Sequence, residues 1–253
     1  MALELALDGT VVLVTGGARG VGVGITAAFR RAGATVITCG RRPPEAPVAE
    51  FVECDVREPA AVASLMDTVV ARHGRLDTVV NNAGGAPPSV TATASPRFHE
   101  KVVGLNLLAP LLVAQRANEI MQRQDGGGAI VMVSSVSATR PSPGTAAYGA
   151  AKAGLDNLTA TLAVEWAPKV RVNALDVGMV RTELTESLYG SAEAVARTVP
   201  LGRLADPEDV GHCAVFLASP LAAYVSGATL LVHGGGEAPA FLSAVSCGHG
   251  SPR

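Results

Sequence analysis

Short apolar runs alternate along this chain with longer stretches in which apolar residues recur every three or four positions. The runs "TVVLVT" (10–15), "TVITC" (35–39), "FVEC" (51–54), "LDTVVNN" (76–82), "AIVMVSS" (129–135), "VRVNAL" (170–175) and "ATLLVHG" (228–234) read as strands. They are apolar almost throughout rather than at alternate positions, as strands covered on both faces are. The intervening segments carry helical spacing. The clearest follows Tyr148, where Leu155, Leu158, Leu162 and Trp166 fall along one helix face. Strand–helix alternation of this kind predicts an α/β fold with a parallel sheet wrapped by helices. Seven strands in one compositional regime predict a single domain over residues 1–236, followed by an aperiodic tail, 237–253, that is expected to be partly disordered.

One connection departs from the pattern. The strands at 35–39 and 51–54 are joined by "GRRPPEAPVAE", with prolines at 43, 44 and 47. Proline disfavours a helix interior, so a short, mostly extended crossover is expected there.

Composition narrows the function classes. The 253 residues carry a formal net charge of −2, with no basic footprint for nucleic acid. No window approaches the length of apolar sequence that a membrane-spanning helix needs, and "MALELALDGT" lacks the basic start and apolar core of a secretion signal. Cys39, Cys54, Cys213 and Cys247 form no CxxC pair, and the five histidines form no HExxH, so no metal site is expected. Reduced thiols and a cytoplasmic location follow as expectations.

The first strand runs into "TGGARGVG", Thr15 to Gly22, which opens a helix. Strand, glycine turn and helix form a cradle in which backbone N–H groups and a helix N-terminus bind pyrophosphate, as in Rossmann-type doubly wound sheets. Gly16, Gly20, Val21 and Gly22 are the candidate contacts. An NAD-binding unit of this kind carries an acid about 20 residues further on to hold the ribose hydroxyls. Here Ala32 to Pro44 contains none, and the second strand ends in "CGRRP". Arg41 and Arg42, with Arg19 from the glycine turn, offer guanidinium groups suited to a 2′-phosphate, although Arg42 reads rather as a solvated surface residue. NADP(H) is therefore expected in preference to NAD(H).

The segment "AAYGAAKAG" holds Tyr148 and Lys152 one helical turn apart, with only Gly149, Ala150 and Ala151 between them. Alone, such a pair is commonly solvated and inert. With the rest of the chain it resembles the short-chain dehydrogenase/reductase family. The resemblance covers nearly the whole sequence: TGxxxGxG stands as Thr15–Gly22, the acid after the third strand as Asp55, and NNAG as Asn81, Asn82, Ala83 and Gly84. The catalytic asparagine matches Asn106 in "GLNLLAP", and the serine, tyrosine and lysine match Ser135, Tyr148 and Lys152. "PLGRLADPEDV" and "YVSGATLLVHGG" are similar to the subgroup of oxoacyl reductases and many hydroxysteroid and alcohol dehydrogenases.

The resemblance implies a seven-stranded sheet, a homotetramer and a cofactor site that also takes in Asp55, Val56, Asn82, Ala83, Gly84, Tyr148, Lys152, Gly178, Val180 and Thr182. It implies hydride transfer between the nicotinamide and a carbonyl/alcohol pair. A free tyrosine has a pKa near 10, too high for a base at neutral pH. The Lys152 cation favours its phenolate, which makes Tyr148 the expected acid/base, while Ser135 hydrogen-bonds the substrate oxygen. Ser134, its strand neighbour, must face the other way.

Pro110 lies four residues after Asn106 in a helix expected from about 97 to 123 and removes the partner of the Asn106 carbonyl. The freed oxygen is a candidate water site for a relay from Lys152 to solvent, or simply a kink. Two departures from the family stand out. Asp176 and Val177 replace the usual proline before Gly178, which is expected to place a charge near the site mouth, and His233 stands where the subgroup often has Asp. The segment 182–200 is expected to form a lid whose Leu184, Leu188, Tyr189 and Val195, with Val90 and Met179, would meet a hydrophobic substrate such as a 3-oxoacyl thioester or steroid. An NAD-preferring hydroxysteroid or hydroxyacyl dehydrogenase, or a non-catalytic cofactor-binding protein, are the competing readings.

Overall fold

The seven apolar runs build one parallel sheet in a computed structural model of the chain, in which residues 5, 7–183 and 191–237 are described. The strands are β1 (Val11–Thr15), β2 (Thr35–Gly40), β3 (Glu50–Glu53), β4 (Thr78–Asn81), β5 (Gly128–Val133), β6 (Val170–Val177) and β7 (Thr229–Val232). Their order is β3-β2-β1-β4-β5-β6-β7. The chain winds outward from β1 in one direction, then returns to its other side at β4. That reversal opens a crevice at the carboxyl ends of β1 and β4, where open α/β sheets bind ligands. The fold is a single α/β domain of the doubly wound, Rossmann-like type.

The helices are α1 (Val21–Arg31), α2 (Pro59–His73), α3 (Pro96–Val103), α4 (Ala109–Met121), α5 (Ala146–Glu165), α6 (Ala192–Ala196) and α7 (Pro207–Ala218). The β2–β3 link, residues 41–49, holds no helix, as its prolines predict. One face of the sheet packs a core with Leu65 and Val69 of α2, Val113 and Ala117 of α4, and Leu155 and Leu162 of α5. The other packs Ile25 and Phe29 of α1 and Val210 and Ala214 of α7. Along β5, Ile130 and Met132 join the first core and Val131 and Val133 the second. The same alternation on β6 sends Val170, Val172 and Ala174 toward α5.

α1 and α7 cross at glycine. A Cβ on Gly24 would lie 2.2 Å from the Pro207 carbonyl carbon, and one on Gly211 would lie 2.6 Å from the Gly24 oxygen. This close approach fixes α1, and with it the turn at its N-terminus.

The expected single helix over 97–123 is interrupted. Between α3 and α4, residues Gly104–Leu108 form one π-helical turn. Pro110 stands just inside α4, where its missing N–H is accommodated by the widened turn rather than by a simple kink. Among the described residues no helix is long and apolar enough to cross a membrane, and no group of three or more His, Cys, Asp or Glu is placed to hold a metal.

Candidate active site

The glycine turn lies at the switch point. Gly16 and Gly20 have φ of +64° and +53°, a region side-chain-bearing residues seldom adopt. Gly20 precedes α1 without a capping side chain, and the first turn of α1 carries no acid, so its N–H groups meet no competing carboxylate. A Cβ on Gly22 would lie 2.2 Å from the Gly16 oxygen and 2.8 Å from Asn82 Nδ2.

Asn82 stitches this turn to the end of β4. Its Nδ2 donates to the Thr15 and Gly16 carbonyls at 2.9 and 3.2 Å. The backbone N–H groups of Asn82 and Ala83 each donate to Thr15 Oγ1 at 3.0 Å. Thr182 reaches the same place from the other side, with its Cγ2 4.0 Å from where a Gly20 Cβ would stand. A bare helix N-terminus whose turn is held by the hydrogen-bonded Asn82 loop fits a pyrophosphate.

At the far end of the crevice, Val56 is buried and Asp55 half-buried. Arg57 donates to Asp55 Oδ1 from Nε at 2.9 Å and from its backbone N–H at 3.1 Å. The Arg57 guanidinium holds the Asp55 carboxyl below the usual carboxylate range, and Arg41 contributes to the same effect. Arg41 is therefore within electrostatic reach of Asp55, while Arg19 and Arg42 are exposed. Arg57 was absent from the residues expected here. Its one signal in sequence is a cation two places after the acid.

At the chemical end, Asn106 is fully buried. Its Oδ1 accepts from the Gly85 N–H at 2.8 Å, and its Nδ2 donates to the Gly85 and Val102 carbonyls at 3.0 and 2.9 Å. The side chain is thus spent on anchoring the loop that follows Gly84. A Cβ on Gly84 would lie 2.8 Å from Asn106 Oδ1 and 3.5 Å from Lys152 Nζ, so this glycine lets the two come together.

Lys152 is only 4% exposed. Its Nζ donates to the Val133 carbonyl at 2.6 Å and lies 5.6 Å from the centre of the Tyr148 ring. Burial pulls the Lys152 ammonium down to about 8, against the opposing pull of Asp156 and Asp176. Ser135 is nearly buried and heads the 3₁₀ turn Val136–Ala138, where its Oγ accepts from the Ser137 N–H at 3.2 Å. A Cβ on Gly149 would lie 2.8 Å from the Ser137 carbonyl. The bare position after Tyr148 thus admits the turn that carries Ser135. Packing against that turn explains the small residue there without invoking a ligand.

Asp176 requires a correction. The expectation of a charge near the mouth fails: the side chain has no exposed surface. It follows Val170, Val172 and Ala174 in the strand alternation and points into the layer beneath α5. Gly178 donates its N–H to the Val232 carbonyl at 3.0 Å, and a Cβ there would meet His233 Cβ at 2.8 Å, so His233 closes over it. Val180 is buried and bridges to Ala205.

Beside the Ser135 turn lies a cavity of about 190 Å³ whose lining includes Val136, Arg140, Met179, Leu231, His233 and Glu237. Arg140 and Glu237 pair across it at 2.7 Å. The lining mixes apolar and charged groups. Of the other residues expected to meet substrate, Val90 is exposed, Val195 is half-buried on α6, and Leu184, Leu188 and Tyr189 lie outside the described residues, as does the tail beyond 237.

Comparison with known proteins bears on this arrangement. A family model described as enoyl-(acyl carrier protein) reductase matches residues 16–237. The chain is 35% identical over 246 residues to a D-threitol dehydrogenase of Mycolicibacterium smegmatis, covering 92% of this chain and 94% of that one. It is 32% identical over 246 residues to a 3-oxoacyl-[acyl-carrier-protein] reductase of Chlamydia pneumoniae, covering 92% and 99%. A solved structure from Sinorhizobium meliloti 1021, described as a candidate short-chain alcohol dehydrogenase, superposes with a TM-score of 0.85 at 33% identity, covering 92% and 98%. Similarity of this extent runs from the glycine turn through the helix of Tyr148 to the last strand, and it settles the class of the chain. This protein is a member of the short-chain dehydrogenase/reductase family, an NAD(P)-dependent oxidoreductase acting on alcohols or carbonyls.

Proposed function

We propose that the chain interconverts a ketone and a secondary alcohol with NADP(H) as the preferred cofactor. The observation that carries this reading is Lys152: buried, fixed on the Val133 carbonyl, with its amine 5.6 Å from the Tyr148 ring. An ammonium so placed favours phenolate over phenol. Tyr148 then gives a proton to the substrate oxygen in reduction and takes it back in oxidation, while Ser135 hydrogen-bonds that oxygen and orients it. The glycine turn and residues that include Asp55, Val56, Asn82, Ala83, Gly84, Gly178, Val180 and Thr182 would hold the nicotinamide cofactor, whose chemistry would be to supply or accept the hydride. Asn106 keeps the loop at Gly84–Gly85 in place, and its backbone carbonyl, lacking a partner at Pro110, is the candidate relay between Lys152 and solvent.

The NADP(H) preference is supported by the absence of an acid after β2 and by Arg41 at that strand's end, with Arg19 nearby in sequence as a second candidate. Steady-state rates with NADPH and NADH should favour NADPH, and Arg41→Ala should shrink the preference by about tenfold or more, the value of one charge-assisted hydrogen bond. Equal rates with both nucleotides would contradict the assignment.

Met179, Val136 and Leu231 around the cavity support a hydrophobic substrate, such as an oxoacyl thioester or steroid. A polyhydroxylated substrate is a second reading, favoured by Arg140, His233 and Glu237 on the same wall. A panel of ketones, β-keto thioesters, steroids and polyols, followed by cofactor oxidation or reduction, separates the two. A cytoplasmic, homotetrameric enzyme completes the proposal. Exposed Leu230 on β7 and Val164 on α5 support association through those elements.

A further inference from the structure

Tyr148, Lys152 and Asp156 follow one another at four-residue spacing along α5, and so share one face of the helix. Asp176, brought beneath that face by the alternation of β6, joins these groups in a layer whose core is largely apolar. Both Asp176 oxygens and Asp156 Oδ1 are buried without a hydrogen-bond donor. The Ser134 hydroxyl donates to the Lys152 carbonyl at 3.3 Å and, with the Ser135 N–H, also acts on the carboxyls, which is fewer donors than two carboxylates can accept from. Two buried carboxylates facing each other offer only acceptors, so a hydrogen bond between them requires a proton on one. A native fold rarely leaves such groups unsatisfied.

We propose that Asp156 and Asp176 form a buried carboxyl pair that shares a proton and serves as the counter-charge of Lys152. They are positioning residues, acting on the amine beside Tyr148 rather than on substrate. The inference rests on the reading of Tyr148 and Lys152 given above.

The physical need is plain. Taking an ammonium out of water favours the neutral amine, and a neutral Lys152 could not draw Tyr148 toward phenolate. An anion behind it restores the charge. Burial pushes both carboxyls upward, Asp156 to about 6, so the pair holds its extra proton in acid and releases it as neutrality is approached. The groups that bear on either carboxyl are Lys152, the Ser134 hydroxyl and the Ser135 backbone N–H, together with the partner carboxyl itself. Asp156 and Asp176 both oppose the effect of burial on Lys152.

The chain contains three lysines, Lys101, Lys152 and Lys169, so carbon NMR of the lysine ε positions resolves Lys152 without substrate or cofactor. The wild-type midpoint is expected near pH 8. In Asp156→Asn/Asp176→Asn it should move acidward by about one pH unit, a tenfold change in acid constant, with smaller shifts in each single variant. Lys101 and Lys169 serve as internal references. An unmoved Lys152 midpoint in the double variant would overturn the proposal.

Should that variant fail to fold, aspartate side-chain carbons of the wild type provide the test. Both signals should titrate above the ordinary value of about 4, with an inflection in the Lys152 signal as the pair loses its shared proton. Titration at the ordinary value with a silent Lys152 would also overturn it. Turnover adds a second readout. The alkaline limb of kcat/KM should move acidward in Asp176→Asn, whereas a purely structural role lowers the rate equally at every pH. If no substrate in the panel is turned over by the wild type, the reading of Tyr148 fails, and the NMR result still decides whether the pair charges Lys152.

Discussion

Tyr148→Phe is expected to lower kcat by about a thousandfold, within the range of ~10²–10⁴ that positioned proton transfer contributes. Cofactor affinity and thermal stability should change little. The ring remains, and the residues that build the pyrophosphate cradle, Gly16, Gly20, Asn82 and Thr15, lie on other elements. Losing the hydroxyl removes only the proton that must reach or leave the substrate oxygen. Kinetics combined with nucleotide titration checks both halves of this statement. Retained turnover would mean that another group carries the proton. A joint loss of turnover and binding would mean that the phenol organises the cofactor site instead.

Gly22→Ala should have an effect of similar size by a different route. The new methyl would stand 2.2 Å from the Gly16 oxygen, a backbone atom that also accepts from Asn82. Flexible side chains can yield to such a clash, but here the turn itself must move. Overpacking of this kind costs about 1–3 kcal/mol in stability. Displacing the N–H groups at the start of α1 should weaken nucleotide binding by about 100-fold, since each factor of ten corresponds to ~1.4 kcal/mol. Gly126→Ala is the control, because a Cβ there meets nothing within 4 Å. Thermal melts with and without nucleotide measure the two effects separately. A Gly22→Ala protein that binds normally would show that the turn tolerates a side chain.

The doubly wound sheet was legible because its strands are apolar on both faces and its helices are periodic, which burial in a parallel sheet demands. Motif order also indicated where the candidate residues would gather: Thr15–Gly22, Asn82–Gly84, Asn106, Ser135, Tyr148 and Lys152 lie at the carboxyl ends of strands or on the helices beside them, while their chemical roles belong to the proposal. What escaped was geometry that no local pattern encodes. The π turn at Gly104–Leu108 arises where Asn106 must reach Gly85 while Pro110 withholds an N–H, a compromise between two distant constraints. Asp176 was misplaced because a charged residue after a strand core reads as an exposed end. β6 in fact extends to Val177, two residues beyond the apolar run. Strict alternation from Val170 would have placed it beneath α5, and the four-residue spacing of Lys152 and Asp156 would have named its neighbours. Arg57 escaped because its role depends on the side chain folding back onto Asp55.

The central claim is electrostatic: the Lys152 cation lowers the cost of ionising Tyr148. The most direct measurement is the phenolate ultraviolet absorbance of the cofactor-free protein as a function of pH, in wild type and in Lys152→Met, with Tyr148→Phe identifying the signal among the three tyrosines. The account predicts a Tyr148 signal that appears below the ordinary midpoint of about 10 in wild type and moves upward when the lysine is replaced. Identical titrations in the two proteins would contradict it.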